Sequence, residues 1–362
     1  MTTTSTAFLE NPEIITIDLV GGLGNQFFQI ATVIAFSAKH GIPFLFPYKE
    51  HHDNHWGYDR PTYWHNLFHS IINKTTKYTN HPFYRTNETL VQIPNKIHES
   101  MISYIHPPPP NRSFYLYGYF QNYHYFHSYR KYIINVLRIR EQQNAIKQKY
   151  ALRYFADKED TTTIAIHFRM GDYKHIKGNV LKIGYYRKAL HHLLLTHLFP
   201  NSKNSVKIIV FCEEEDRAEI QKKVISILQM ELNIEMEFLF NRNAPPTATA
   251  TATATTIEQI GQTTMPTPTT QIKNNNTTQT KQKQQTKLEF INIDTNIQDY
   301  EQMLLMSVCD YVITANSTFS WWSAYLSTNP PEHIYCPLQW SGDKTHNDNN
   351  NPLFVEGWNI IS

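Results

Sequence analysis

Three short stretches of this chain join polar or charged side chains to glycine or to a helix start, a combination that suits an anionic ligand. The first is Gly21-Gly22-Leu23-Gly24-Asn25-Gln26, which leaves one apolar run and enters another. Glycines there let the backbone approach a ligand closely, and the helix behind them presents unpaired N–H groups. The spacing is neither G-x-G-x-x-G nor the Gly-Lys-Ser/Thr of a P-loop, so it specifies no nicotinamide cofactor and no such phosphate loop. A tight turn that packs helix on strand explains the same glycines. The second stretch is His167-Phe168-Arg169-Met170-Gly171-Asp172-Tyr173. Arginine offers a planar fork of donors that stays charged, and at a strand end it can meet a diphosphate. The plainer alternative is a surface pair of Arg169 with Asp172, worth at most about 1 kcal/mol. The third is Ala315-Asn316-Ser317-Thr318-Phe319-Ser320-Trp321-Trp322, where Ser317 or Thr318 can cap a helix whose N-terminus holds an anion. The tryptophans are expected in the core.

Other polar groups carry less. His51, His52 and His55 lack a carboxylate or cysteine at metal-site spacing, and His191, His192 and His197 read as structural members of a helix. Glu213 to Asp216 follow a strand end, where acids either orient a sugar hydroxyl or serve a helix dipole. Cys212, Cys309 and Cys336 form no CxxC, so neither a zinc ribbon nor a disulfide framework is signalled. No metal site is expected.

The elements that must position these residues alternate. Residues 14–20 read as a strand, Phe27 to Lys39 as an apolar helix ended by Gly41 and Pro43, and PFLFPY as a further strand. Residues 48–106 are irregular and aromatic. Pro107 to Pro110 form a stiff spacer, followed by a strand through Tyr119 and a helix from Tyr123 to Leu137. Strands are then expected at 164–168, 206–211, 235–240, 288–293, 311–315 and 333–336, the last of the chain. Helices are expected at 185–198, 214–232, 299–309 and 319–326. In the strand at 164–168, Ile164, Ile166 and Phe168 share one face, which leaves His167 and Arg169 on the other. Such alternation implies a largely parallel, doubly wound α/β sheet, and ligands of such sheets sit at the carboxyl ends of strands.

The chain has 362 residues, 33 Lys+Arg and 31 Asp+Glu, a formal net charge of +2. That balance offers no long-range attraction for nucleic acid or an anionic membrane. No stretch approaches the roughly 18 apolar residues of a membrane span, and the N-terminus shows no signal-peptide pattern. A cytoplasmic location is the expectation, with peripheral membrane association left open. Residues 1–13 read as a flexible N-terminus, 14–160 and 161–362 as two α/β domains. Residues 244–287, Thr-, Gln- and Asn-rich, read as a disordered insertion in the second.

Four blocks, GGLGNQFFQIATVIAFSAKHG, YGYFQNYHYF, HFRMGDY and MLLMSVCDYVITANSTFSWWSAYLS, together resemble the α-1,2-fucosyltransferases of glycosyltransferase family 11. The resemblance implies a GT-B-like fold, two Rossmann-like halves facing a cleft. It implies inverting transfer of L-fucose from GDP-β-L-fucose to the 2-hydroxyl of a galactoside, without an obligatory metal or cofactor. Arg169 would then grip the donor diphosphate, and Asp172 is the candidate base for the acceptor hydroxyl or the residue that holds Arg169. His167, Asn316, Ser317, Thr318, Phe319 and Glu213 would complete the donor site. Gly22, Gly24, Asn25, Gln26, Tyr119 and Gln121 would face the cleft from the acceptor side. Met170 stands where such enzymes usually carry a second basic residue. A transferase for another nucleotide sugar or acceptor, and an inactive carbohydrate-binding relative, are the alternatives.

Overall fold

The computed structural model describes residues 13–53, 59–104, 113–156, 160–198, 205–232, 287–342 and 350–362. The expected flexible N-terminus up to residue 12, His55, the proline spacer, the strand at 235–240 and the insertion up to residue 286 lie outside the described residues.

Two parallel sheets organise the rest. The first has the order β1 (Ile15–Ile17), β5 (Phe114–Tyr117), β4 (Asn95–His98), with all neighbours parallel. β2 (His51–Asp53) and β3 (Asp59–Pro61) form a small antiparallel pair beside it. The second sheet holds β6 (Thr161–His167), β7 (Ser205–Phe211), β8 (Lys287–Asn292), β9 (Tyr311–Ile313), β10 (Ile334–Pro337) and β11 (Asn359–Ile361). Its order is β8-β7-β6-β9-β10-β11, parallel throughout. Numbered within this half, that is 3-2-1-4-5-6, the doubly wound order in which strand sequence reverses between β6 and β9.

The helices include α1 (Leu23–His40), α2 (Asn87–Val91), α3 (Arg130–Val136), α4 (Ile139–Lys149), α5 (Ala151–Tyr154), α6 (Ile183–Leu193), α7 (Arg217–Ile220), α8 (Asp299–Ser307) and α9 (Thr318–Leu326), and residues 226–232 are helical as well. α1 is apolar on nearly every side, and it is buried on nearly every side. Gly41 ends it in the left-handed region, at φ 69°. One hydrophobic core joins the first sheet and α1 to α8 and α9. At its centre Phe27 meets Trp322 edge-on with ring centroids 4.0 Å apart, and Phe28 meets Trp321 at 4.6 Å. A second core fills the opposite face of the large sheet around Ile164, Ile166, Ile208 and Leu190. β6 is therefore covered on both faces and reads as a continuous buried run.

Several expectations change. PFLFPY makes only single bridges at Phe44 and Phe46, because Pro43 and Pro47 cannot donate to a ladder. The helix expected from Tyr123 becomes 3-10 turns at 123–125 and 127–129 before α3. The 48–106 region, expected to be irregular, contributes three short strands, β2, β3 and β4. β10 is not the last strand, since β11 pairs in parallel beyond it.

Candidate active site

A cavity of about 730 Å³ opens where the two sheets face each other. Its second-sheet wall is the β6–β9 switch point. Its first-sheet wall is the glycine turn between β1 and α1, the β3 strand and the segment after β5.

The two walls touch at their helix starts. A Cβ placed on Gly24 would overlap the Thr318 backbone, so only glycine allows the first turn of α1 to cross the first turn of α9. Gly22 caps α1 without a side-chain hydrogen bond. Ser317 caps α9, its Oγ accepting from the Phe319 N–H at 3.4 Å. The first N–H groups of a helix have no intrahelical partner, and the positive dipole ends add to them. Gly22, Gly24, Ser317, Thr318 and Phe319 all line the cavity, so two helix starts face one volume.

Arg169 lies in the same volume, with its side chain largely covered. Its Nη2 donates to Asp172 Oδ1 at 2.7 Å and its Nη1 to Glu213 Oε1, while the guanidinium lies 5.3 Å from the Tyr173 ring centroid. Burial pushes the Glu213 carboxyl above its usual range, opposed by the charge of Arg169. The backbone of Gly171 runs directly against this carboxylate, and a Cβ there would strike Glu213. His167 is buried beside Phe319, with ring centroids 5.5 Å apart. Burial, with the charge of Arg169, depresses its imidazole to about 3, so at neutral pH it offers hydrogen bonds and no charge. Its Nδ1 is a buried polar atom with no hydrogen-bond partner. Burial raises the Cys212 thiol to about 11, which keeps this cavity-lining cysteine protonated.

Two of the expected site residues, Gln26 and Asn316, lie behind the cavity wall. Gln26 is fully buried, and its Nε2 donates to the carbonyls of Gly21 (3.0 Å) and Pro61 (2.9 Å), tying the glycine turn to β3. Asn316 is buried as well. Its Nδ2 donates to the carbonyls of Asn179 (2.9 Å) and Trp340 (3.2 Å). Both amide nitrogens are held by backbone carbonyls, the buried Gln26 Oε1 and Asn316 Oδ1 have no hydrogen-bond partner, and neither residue lines the cavity. Asn25, Tyr119 and Gln121 do line it, and Gln121 Nε2 donates to Asn25 Oδ1 at 3.0 Å. Tyr119 and Gln121 flank Phe120, a fully buried residue at φ 55°, whose N–H donates to Glu99. A non-glycine residue in that region costs about 1–3 kcal/mol and persists only where its surroundings enforce it.

The sequence reading missed Arg60, Tyr63, Asp299, Gln302 and Trp340, which also line the cavity. Tyr63 Oη donates to Asp299 Oδ2 across more than 200 residues of chain. Asp299 was legible only as a helix start. Arg60 and Tyr63 fall in a region without period. Among the described lining residues the charges are Arg60 and Arg169 against Asp172, Glu213, Glu214 and Asp299. Glu213, Glu215 and Asp216 lie close enough to hold a cation. Two of the three are already engaged: Glu213 by Arg169, and Asp216 by Lys174 and the Gly171 N–H at 2.6 Å.

The chain folds as an α/β protein with two parallel-sheet halves and one cavity lined from both. Residues 275–362, which carry the third motif, match the family model for glycosyl transferase family 11. Among solved structures, the Bradyrhizobium α-1,6-fucosyltransferase NodZ, soaked with GDP-fucose, is similar over 88% of this chain and 93% of its own, at 9% identity and a TM-score of 0.37. A mutant of Arabidopsis thaliana FUT1 in complex with GDP is similar over 91% of this chain and 71% of its own, at 11% identity and a TM-score of 0.41. No curated protein matches. Among the described residues, no helix is long and apolar enough to cross a membrane.

Proposed function

We propose that this chain is a family 11 glycosyltransferase that moves L-fucose from GDP-β-L-fucose to the 2-hydroxyl of a galactoside-type acceptor, with inversion and without a metal. The observation that carries the reading is the meeting of Arg169 with two helix starts at the switch point of a 3-2-1-4-5-6 sheet, within a chain whose C-terminal part matches family 11. In such a transfer the acceptor oxygen bonds to C1 of fucose, the bond from C1 to the β-phosphate oxygen breaks, and GDP leaves with the electron pair. Preorganised donors must stabilise that growing charge. The fork of Arg169, the Thr318 N–H and the start of α1 fill this role. His167 supplies a neutral hydrogen bond to the nucleotide side.

The diphosphate takes the guanidinium from Asp172. Asp172 Oδ1 lies against the fork, and we assign it to receive the proton of the acceptor hydroxyl. Glu213 keeps the other side of the fork in place. Tyr119, Gln121 and Asn25 face the acceptor. Arg60 brings the second permanent cation to the cavity from the opposite wall.

The test is incubation with GDP-fucose and lactose, with product linkage read by NMR. Transfer to the galactose 2-position is expected; transfer to another position, or turnover only of another nucleotide sugar, removes the specific reading. One observation favours a second reading, a carbohydrate-binding relative without activity: carboxylates outnumber arginines on the cavity wall. Slow release of GDP from GDP-fucose without acceptor rejects it.

A further inference from the structure

Arg169 follows the end of β6, and the two acids that hold its fork belong to different segments. Asp172 lies in the loop after β6, residues 170–175, and Glu213 opens the turn after β7, residues 213–216. The direction of the fork therefore depends on how this loop and this turn sit against each other. Asp172 moves with the loop and Glu213 with the turn, so neither settles that relation.

Asp216 joins the two segments. It is 1% exposed, and both of its carboxylate oxygens are engaged by the loop. Oδ2 accepts from the Gly171 N–H at 2.6 Å, and Oδ1 accepts from Lys174 Nζ. Lys174 also reaches Glu219 of α7 at 2.9 Å. The Asp216 N–H donates to the Glu213 carbonyl at 3.1 Å and closes the turn that carries Glu213. Asp216 stands at the start of α7, yet its side chain makes no capping hydrogen bond there. Neither Asp216, Lys174 nor Glu219 lines the cavity. Taking a carboxylate out of water costs about as much as its pairing returns, so a buried ion pair is weak evidence for stability. What the two oxygens do supply is one register of loop on turn. That register matters most with ligand bound. Once a diphosphate takes the guanidinium from Asp172, Glu213 is the acid that still holds the fork. Glu213 packs against Gly171, the residue whose N–H Asp216 grips.

We propose that Asp216 is a positioning residue, which keeps the Arg169 fork aimed at the diphosphate by locking the loop after β6 onto the turn after β7. The proposal rests on the reading of Arg169 as the diphosphate ligand. The test titrates GDP and GMP, which differ by the phosphate that the fork would hold, and takes the ratio of their affinities within one preparation, so loss of folded protein cancels. The wild-type ratio is expected to favour GDP by about tenfold or more, the range for hydrogen bonds to charged groups, and to fall to about one in Arg169→Ala. Groups in one hydrogen-bond network couple by about two- to hundredfold. Asp216→Asn is therefore expected to lower the ratio about fivefold. Lys174→Gln, at an exposed position, is expected to lower it about twofold, and neither should lower it further in the R169A background. The 15N–1H signal of the Arg169 Nε–H, assigned by its absence from R169A, reads the fork without nucleotide and is expected to shift or broaden in both variants. A ratio and a signal unchanged in both variants, with only Tm lowered, overturn the proposal. So does an equal loss of the ratio in the R169A background. A wild-type ratio in R169A rejects the diphosphate reading instead, and the Nε–H signal then decides the lock by itself.

Discussion

The two walls of the cleft are made differently. The second-sheet wall is carried by regular elements. β6 and β9 end side by side, α9 starts at once, and Arg169, His167 and Ser317 to Phe319 come within a few residues of a strand end. The first-sheet wall is assembled from pieces distant in sequence. Gln29 is one of its joints: its Nε2 donates to the carbonyls of Val20 and Gly118, and its Oε1 accepts from the Val20 N–H. The contrast separates a rigid wall suited to a constant ligand from a composite wall that loops can remodel. Under the proposed function, the first description suits a nucleotide diphosphate and the second a variable acceptor.

If the rigid wall binds the diphosphate, Arg169→Ala should lower kcat/KM for fucosyl transfer about 100- to 1000-fold. Arg169→Lys should recover only part, since a point charge does not reproduce a two-pronged contact. Steady-state kinetics with GDP-fucose checks both, and near-wild-type turnover by the alanine variant would break the contrast at its strongest point. The seam between the walls comes next. Gly24→Ala drives a methyl group into the Thr318 backbone and should cost about 1–3 kcal/mol in urea unfolding, the range for an overpacked site. An unchanged midpoint would show that the helix starts do not meet so closely.

A third effect belongs to His167 and depends on pH. Its imidazole titrates at about 3 in the fold against about 6.5 in an unfolded chain. The native state therefore resists protonation. This contribution to stability is complete above pH 6.5 and is lost as pH falls towards 3. Calorimetry should show Tm dropping on acidification below 6.5, with a shallower drop in His167→Asn. Equal slopes would remove the assignment. The smallest effect is that of a chelator. With Glu213 and Asp216 already paired, EDTA should leave the transfer rate unchanged, and a loss restored by a divalent cation would overturn the metal-free reading.

How legible each wall was in the sequence follows from the same contrast. β6, β7 and α9 were readable to within three residues at each end because each carries its own apolar pattern next to a glycine or a cap. α4 was missed because its inward face, Ile139, Gln143 and Ile146, includes an amide. Gln143 is buried there by donating to Ser307 Oγ (2.6 Å) and the Leu326 carbonyl (3.2 Å), partners far along the chain. β11 is three residues long and owes its existence to the β10 edge. In the site, the switch-point residues were readable because strand ends and helix starts mark them. Gln26 and Asn316 were assigned to the cleft because their neighbours line it, whereas their carbonyl partners lie elsewhere in the chain. Arg60, Tyr63 and Asp299 needed tertiary structure to meet at all.

The aromatic block of Phe27, Phe28, Trp321 and Trp322 lies directly behind the floor of the cleft and belongs equally to both halves. Most of the apolar surface that would open in a hinge motion there is therefore already committed, at about 25 cal/mol per Å². Swinging the halves apart about that floor would amount to partial unfolding. Any exchange of ligand with the cavity then falls to its rim, where β3 contributes Arg60 and Pro61, and not to jaws opening and closing about the floor.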